Sequence, residues 1–166
     1  LSVRGTPHDV VVIATLLNRD EEELVVNGCF DGFYSYFATD GFTYGSTSAH
    51  WKLLAAWARK KNLWFSPSAG PGYNDTRIRP WNDIATRDRG NGAYYRQMLG
   101  AAVESGADLV SITSWNEWGE GTQIEPARAP VDDVGDHLDY GANPDLYLDI
   151  TREATARWRT RSPPDL

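Results

Sequence analysis

The chain has 166 residues, 41% of them hydrophobic and 12% aromatic, with a formal net charge of −7. That length suits one domain, and the acidic balance excludes the clustered basic footprint of a nucleic-acid binder. No stretch reaches the roughly 20 apolar residues of a membrane helix, so no direct membrane contact is expected of this segment.

The opening LSVRGTPHD has neither the apolar centre of a signal peptide nor an initiating methionine. VVVIATLL (Val10–Leu17) then reads as a strand covered on both faces. A short acidic helix over Arg19–Asn27 follows and ends at Gly28. Cys29 is the sole cysteine, so the chain forms no internal disulfide; it reads as a small buried hydrophobe at a strand entrance. The second strand is FDGFYSYF (Phe30–Phe37).

The next helix has Ser46 or Ser48 as a cap, an apolar stripe of Leu53, Leu54, Trp57 and Ala58, and Arg59, Lys60 and Lys61 at its dipole-matched end. LWFSPSA (Leu63–Ala69) is the third strand. A helix from about Asn91 carries Tyr94, Tyr95, Met98, Leu99, Ala102 and Val103 on one side, and Gly106 stops it. LVSITSW (Leu109–Trp115) is the fourth strand, and Leu146, Ile150, Ala154 and Trp158 stripe a last helix after Pro144.

Strand alternating with helix four times predicts an α/β protein with a parallel sheet and right-handed crossovers. Two architectures fit: a small doubly wound sheet, or half of an eight-fold barrel. The long segments Thr39–Ser46, Gly70–Gly92 and Asn116–Asn143 all follow strands, whereas those before strands are short. In either architecture that carboxyl edge carries the functional site.

The edge holds SITSWNEWGEGTQIEPA (Ser111–Ala127), where Glu117 and Glu120 lie three residues apart. Two converging carboxylates are what glycoside cleavage uses, one donating a proton and one staying ionised. Gly119 and Gly121 would let the backbone turn, Trp115 and Trp118 would wall the site or stack on a sugar, and Asn116 would bind a hydroxyl or orient a glutamate. The bland alternative is a solvated acidic loop, and Glu125 before Pro126 reads as a loop residue.

That string resembles the signature of glycoside hydrolase family 99, the endo-α-1,2-mannosidases. The resemblance extends to FDGFYSYFATDGFTYGST, FSPSAGPGYNDTRIRPWN, TRDRGNGAYY and LDYGANPDLYLDITREATARW, in order, from about Asp9 to Trp158. Members are (β/α)8 TIM barrels of roughly twice this length, so the resemblance implies that residues 1–166 form a single partial domain. It would be the C-terminal half-barrel of a eukaryotic-type member, with 159–166 a frayed tail.

The implied activity is retaining endo-cleavage of an α-1,2-mannosidic bond in an N-glycan or mannan, without cofactor or metal. The sugar's own 2-hydroxyl acts as nucleophile, giving a 1,2-anhydro intermediate. Glu117 matches the base assisting that hydroxyl and Glu120 the acid/base. Tyr36, or Tyr34 two residues before it, matches the family's active-site tyrosine. Asp40, Tyr44, Tyr73, Asp75 and Arg79 fall on matching loops as substrate-binding candidates.

Gly119 stands where several eukaryotic relatives carry histidine. The implied partners are an α-mannosyl oligosaccharide and the N-terminal half-barrel of the same protein. The implied location is the Golgi lumen, behind an anchor outside this segment, with secretion as the alternative. Competing readings are an inactive or merely carbohydrate-binding fragment, and a related barrel of polysaccharide assembly.

His8, His50 and His137 lack metal-ligand spacing, and Asp132, Asp133, Asp136 and Asp139 lack the calcium-loop pattern. Asn74-Asp75-Thr76 is a formal glycosylation sequon, whose use is not expected on a substrate-facing loop. No dinucleotide, Walker or nucleophile-elbow motif is present.

Overall fold

The computed structural model describes residues 3–82, 85–128 and 140–160. Along these, β1 (Ile13–Thr15) leads through a 3₁₀ turn (Arg19–Glu21) into α1 (Glu22–Asn27), and β2 (Gly32–Tyr34) through another (Ser48–His50) into α2 (Trp51–Lys60). β3 (Trp64–Ser66) and β4 (Ser68–Ala69) precede α3 (Ala93–Glu104), and β5 (Ser111–Ile112) precedes α4 (Leu146–Thr160).

Every strand pairing is parallel, β1 with β2, β2 with β3 and β4 with β5. β3 and β4 are one extended segment divided at Pro67, which has no N–H for a ladder. Its carbonyl still accepts from Ser111 N at 3.0 Å, and Ala69 O accepts from Thr113 N at 3.0 Å. The segment therefore hands over from β2 on one side to β5 on the other. At Gly32 a Cβ would lie 2.4 Å from Trp64 O, so this register needs glycine.

The core lies between sheet and helices. Phe33 stacks on Phe65 with centroids 4.8 Å apart and meets Trp57 edge to face at 5.3 Å. α2 buries Trp51, Leu54, Ala55 and Ala58, α3 buries Tyr95, Met98, Leu99 and Ala102, and α4 buries Tyr147 and Ile150. Each large apolar side chain so buried is worth about 1.5–3 kcal/mol.

Several local expectations are corrected. The α2 stripe follows the i, i+3, i+4, i+7 rule from Trp51, which leaves Leu53 exposed. Neither serine caps α2: Ser46 Oγ is spent on the Thr43 turn, and Ser48 opens the 3₁₀ turn. Cys29 is exposed because a left-handed backbone (φ 56) turns it out after α1. Val10, Val11 and Val12 are exposed rather than covered, since the strand begins only at Ile13 and they run ahead of it. α4 continues through Thr160, two residues into the expected frayed tail. The aspartates of 132–139 lie outside the described residues.

Candidate active site

The segment after β5 closes on itself. Ser114 N donates to Thr122 O at 2.9 Å, and the two hydroxyls lie 2.8 Å apart. Across this neck Glu117 N donates to Ser114 Oγ at 2.9 Å, and Glu117 O accepts from Thr122 N at 3.1 Å. The loop thus presents residues 115–121 from a fixed base. Gly121 makes the return: its φ is +62, and a Cβ would crowd Asn74 O at 3.0 Å.

The Glu120 side chain is anchored and that of Glu117 is not. Glu120 O accepts from Asn74 N at 2.9 Å, and its Oε1 accepts from Arg79 Nη1 at 3.0 Å. The same Nη1 lies 3.0 Å from Oδ2 of Asp75, which also accepts from Tyr73 Oη and Asn82 Nδ2, each at 2.9 Å. Asp75 is fully buried, and its Oδ1 has no partner. Burial by itself would raise the Asp75 carboxyl, but the bonds from Asn82, Arg79 and Tyr73 outweigh it and hold the group below the usual carboxylate range.

Burial, with the Asp75 bond and the Glu120 charge behind it, pushes the Tyr73 phenol up to about 12. Arg79 is held more firmly protonated by both carboxylates. Glu117 stands exposed, with Oε1 3.0 Å from where a Cβ on Gly119 would be.

Tyr36, two residues past β2, is tied to the residue that follows β5. Its carbonyl accepts from Thr113 Oγ1 at 2.6 Å, its ring contacts that of Tyr34 (centroids 6.1 Å), and its backbone is left-handed at φ 60. Such a conformation in a bulky residue is costly and clusters at functional sites.

The expected residues therefore divide. Tyr73, Asp75, Arg79 and Glu120 form one bonded network; Tyr34 and Tyr36 flank the strand exit, and Asn116 is exposed on the loop. Three do not join them. Tyr44 turns toward α1, its hydroxyl donating to Glu22 Oε1 at 3.1 Å. Trp118 packs on the core, and its indole N–H donates to Glu125, giving that glutamate a structural role. Asp40 is a brace, its Oδ1 accepting from Ser48 N at 2.7 Å.

The sequence reading gives no site role to Asn82, Ser114 or Arg89. The Arg89 guanidinium is buried over Tyr140 and Tyr147 (5.3 and 4.6 Å to the centroids), and its Nη2 donates to Gly121 O and Gln123 O at 2.8 Å each. No sequence spacing marks these partners. Among the described residues no cluster of His, Cys, Asp and Glu suits a metal ion.

A parallel β/α sheet whose carboxyl edge carries two glutamates, an arginine–carboxylate network and open aromatic rings is the arrangement of the carbohydrate-cleaving β/α proteins. Within that class the chain belongs to glycosyl hydrolase family 99, whose family model matches residues 1–160. It is 48% identical over 158 residues to a rat glycoprotein endo-alpha-1,2-mannosidase, covering 95% of this chain and 34% of the relative. A zebrafish (Danio rerio) glycoprotein endo-alpha-1,2-mannosidase-like protein is 47% identical over 153 residues, with 92% and 35% covered.

The solved GH99 endo-alpha-mannosidase of Bacteroides thetaiotaomicron superposes with a TM-score of 0.92 at 51% identity, over 97% of this chain and 48% of that one. The same enzyme in complex with bis-tris-propane gives 0.91. The chain thus spans about a third of the length of the curated relatives it matches, and half that of the solved chains.

Proposed function

We propose that this chain is the C-terminal half of a (β/α)8 barrel and that the complete protein is a retaining endo-α-1,2-mannosidase acting on an N-glycan or mannan. The carrying observation is the asymmetry of the glutamates in a family 99 chain: Glu120 is tethered by Arg79 beside buried Asp75, while Glu117 stands free at the rim. Exposed Val10 and Val11 just before β1, and Leu109 just before β5, fit surfaces that a second half-barrel covers.

In this reading Glu117 takes the proton of the mannose 2-hydroxyl. O2 attacks C1 from the face opposite the leaving oxygen, which departs with a proton from Glu120. Glu120 then removes a proton from water attacking C1 of the 1,2-anhydro sugar. The C1–O2 bond opens, O2 regains its proton from Glu117, and two inversions give retention. Positioning an intramolecular nucleophile carries a large effective molarity. Arg79 holds the Glu120 carboxyl at 3.0 Å and is itself held by Asp75, which keeps the proposed acid/base in place.

Two measurements test this. Glu120→Gln in the complete protein should lose turnover and keep glycan affinity. A substrate with hydrogen in place of the 2-hydroxyl should bind and resist cleavage; its efficient hydrolysis would overturn the role of O2.

A further inference from the structure

We infer that Phe42 is a stacking platform for a further pyranose ring of the glycan, at a subsite beyond the one Tyr36 flanks. The inference rests on the proposed carbohydrate site and adds a specificity residue to it. Four rings run without a break from the strand exit to the rim. Tyr34 meets Tyr36 at 6.1 Å and 82°, Tyr36 meets Phe37 at 5.0 Å and 74°, and Phe37 meets Phe42 at 5.0 Å and 65°. The two that reach solvent most are Tyr36, 44% exposed, and Phe42, 52% exposed.

A single exposed apolar residue needs no explanation. Phe42 differs in two ways. It ends a run of rings whose second member, Tyr36, is tied through its backbone carbonyl to Thr113, two residues before the glutamate loop. It also stands on a loop held from several sides. Asp40 N donates to Tyr94 Oη at 2.8 Å, Asp40 O accepts from Arg87 Nη2 at 3.0 Å, and Thr39 Oγ1 reaches Ala85 O at 3.3 Å. Thr43 and Ser46 exchange backbone and hydroxyl bonds of 2.8–3.0 Å on the other flank.

A braced loop that spends its order on an open phenyl ring is pre-organised for a ligand, and binding there costs little conformational entropy. The chemistry offered is apolar and flat, without an ionic partner. It matches the C–H face of a sugar ring better than a charged or strongly polar group.

The experiment uses the complete protein with two α-1,2-mannosyl oligosaccharides that differ by one ring. The readout is the ratio of kcat/KM for the longer to the shorter. Phe42→Ala should lower that ratio about 3–10-fold, the effect of one aromatic contact, with the melting temperature kept. Phe42→Trp should restore the ratio. An unchanged ratio, or equal loss on both substrates, overturns the platform while leaving the proposed reaction intact. Should the wild type cleave neither glycan, the proposed reaction fails on its own, and calorimetry with both glycans decides the platform. Selective weakening of the longer one by Phe42→Ala supports it, and equal affinities overturn it.

Discussion

Arg79 bridges Glu120 and Asp75, its Nη1 standing 3.0 Å from a carboxylate oxygen of each. One partner is sealed in the protein and the other is partly exposed, so the guanidinium is located by Asp75 and in turn locates Glu120. Arg79→Met should reduce kcat about 100-fold, as expected when the proposed acid/base drifts by an ångström. Arg79→Lys should recover only part of it, since an ammonium cannot reproduce the planar fork. Steady-state kinetics on the two variants decide this, and a kcat within threefold of wild type for Arg79→Met would remove Arg79 from the positioning of Glu120.

Gly119 faces soft neighbours. A Cβ there would come 3.0 Å from Glu117 Oε1 and 3.3 Å from Ile78 Cδ1, both far ends of flexible side chains on an open surface. Gly119→Ala should therefore fold normally, with a melting temperature within a few degrees of wild type, while Glu117 swings to make room. The expected cost is about tenfold in kcat, with KM little changed. A large loss of stability without a kinetic effect would show that the glycine serves the backbone and not the carboxylate.

How much of this could be read from residue order depends on what carried the signal. The helices came through because burial repeats along them: Tyr95, Met98, Leu99 and Ala102 of α3 are apolar in sequence and buried in space. Leu53 went wrong because its apolar neighbours permit two overlapping stripes, and only the position of Trp51 against the sheet selects one. Val10–Leu17 reads as a covered strand because an apolar run says nothing about whether a neighbour is there to cover it.

At the site, Glu117 and Glu120 were legible as a close acidic pair after a strand. Their inequality was not, because the groups that make it come from the preceding long loop: Asn74 and Arg79, 46 and 41 positions away from Glu120. That family resemblance picked out Asp75 and Arg79 reflects which strings recur together, whereas Tyr44 and Trp118 came with the same strings and are bonded elsewhere.

Stability should fall at both ends of the pH scale for different reasons. Asp75 is held below its usual 3.8 in the fold, so its contribution is present above that value and is lost as pH falls through the lower folded one. Asp75→Asn should cost about 3 kcal/mol near neutrality, by unpairing a buried bonded network, and should flatten the acid limb. At the other end, burial raises the phenols of Tyr73, Tyr95 and Tyr140 from 10.0 to about 12. A raised folded value means that stability is complete below pH 10 and drains away as pH climbs through 12. For fully buried Tyr95 the rise corresponds to about 2–3 kcal/mol. Denaturant midpoints across pH 2–12 check both limbs, and Tyr95→Phe should shallow the alkaline one alone.

Arg89 holds the exit of the glutamate loop without touching either glutamate. Its two carbonyl partners, Gly121 and Gln123, lie one and three residues after Glu120, and its faces are closed by Tyr140 and Tyr147. Replacing it by leucine orphans the Gly121 carbonyl, leaves that of Gln123 with the Tyr140 hydroxyl alone and strips two ring faces of their cation, which should cost about 2–4 kcal/mol in a denaturant titration. Lysine keeps the charge and can serve one carbonyl, so Arg89→Lys should fold with a smaller loss. Its loop would be held at one point instead of two, which should lower kcat by about an order of magnitude with glycan affinity retained. Equal kinetic constants for Arg89→Lys and wild type would confine Arg89 to stability and leave the loop's geometry to the Ser114–Thr122 neck.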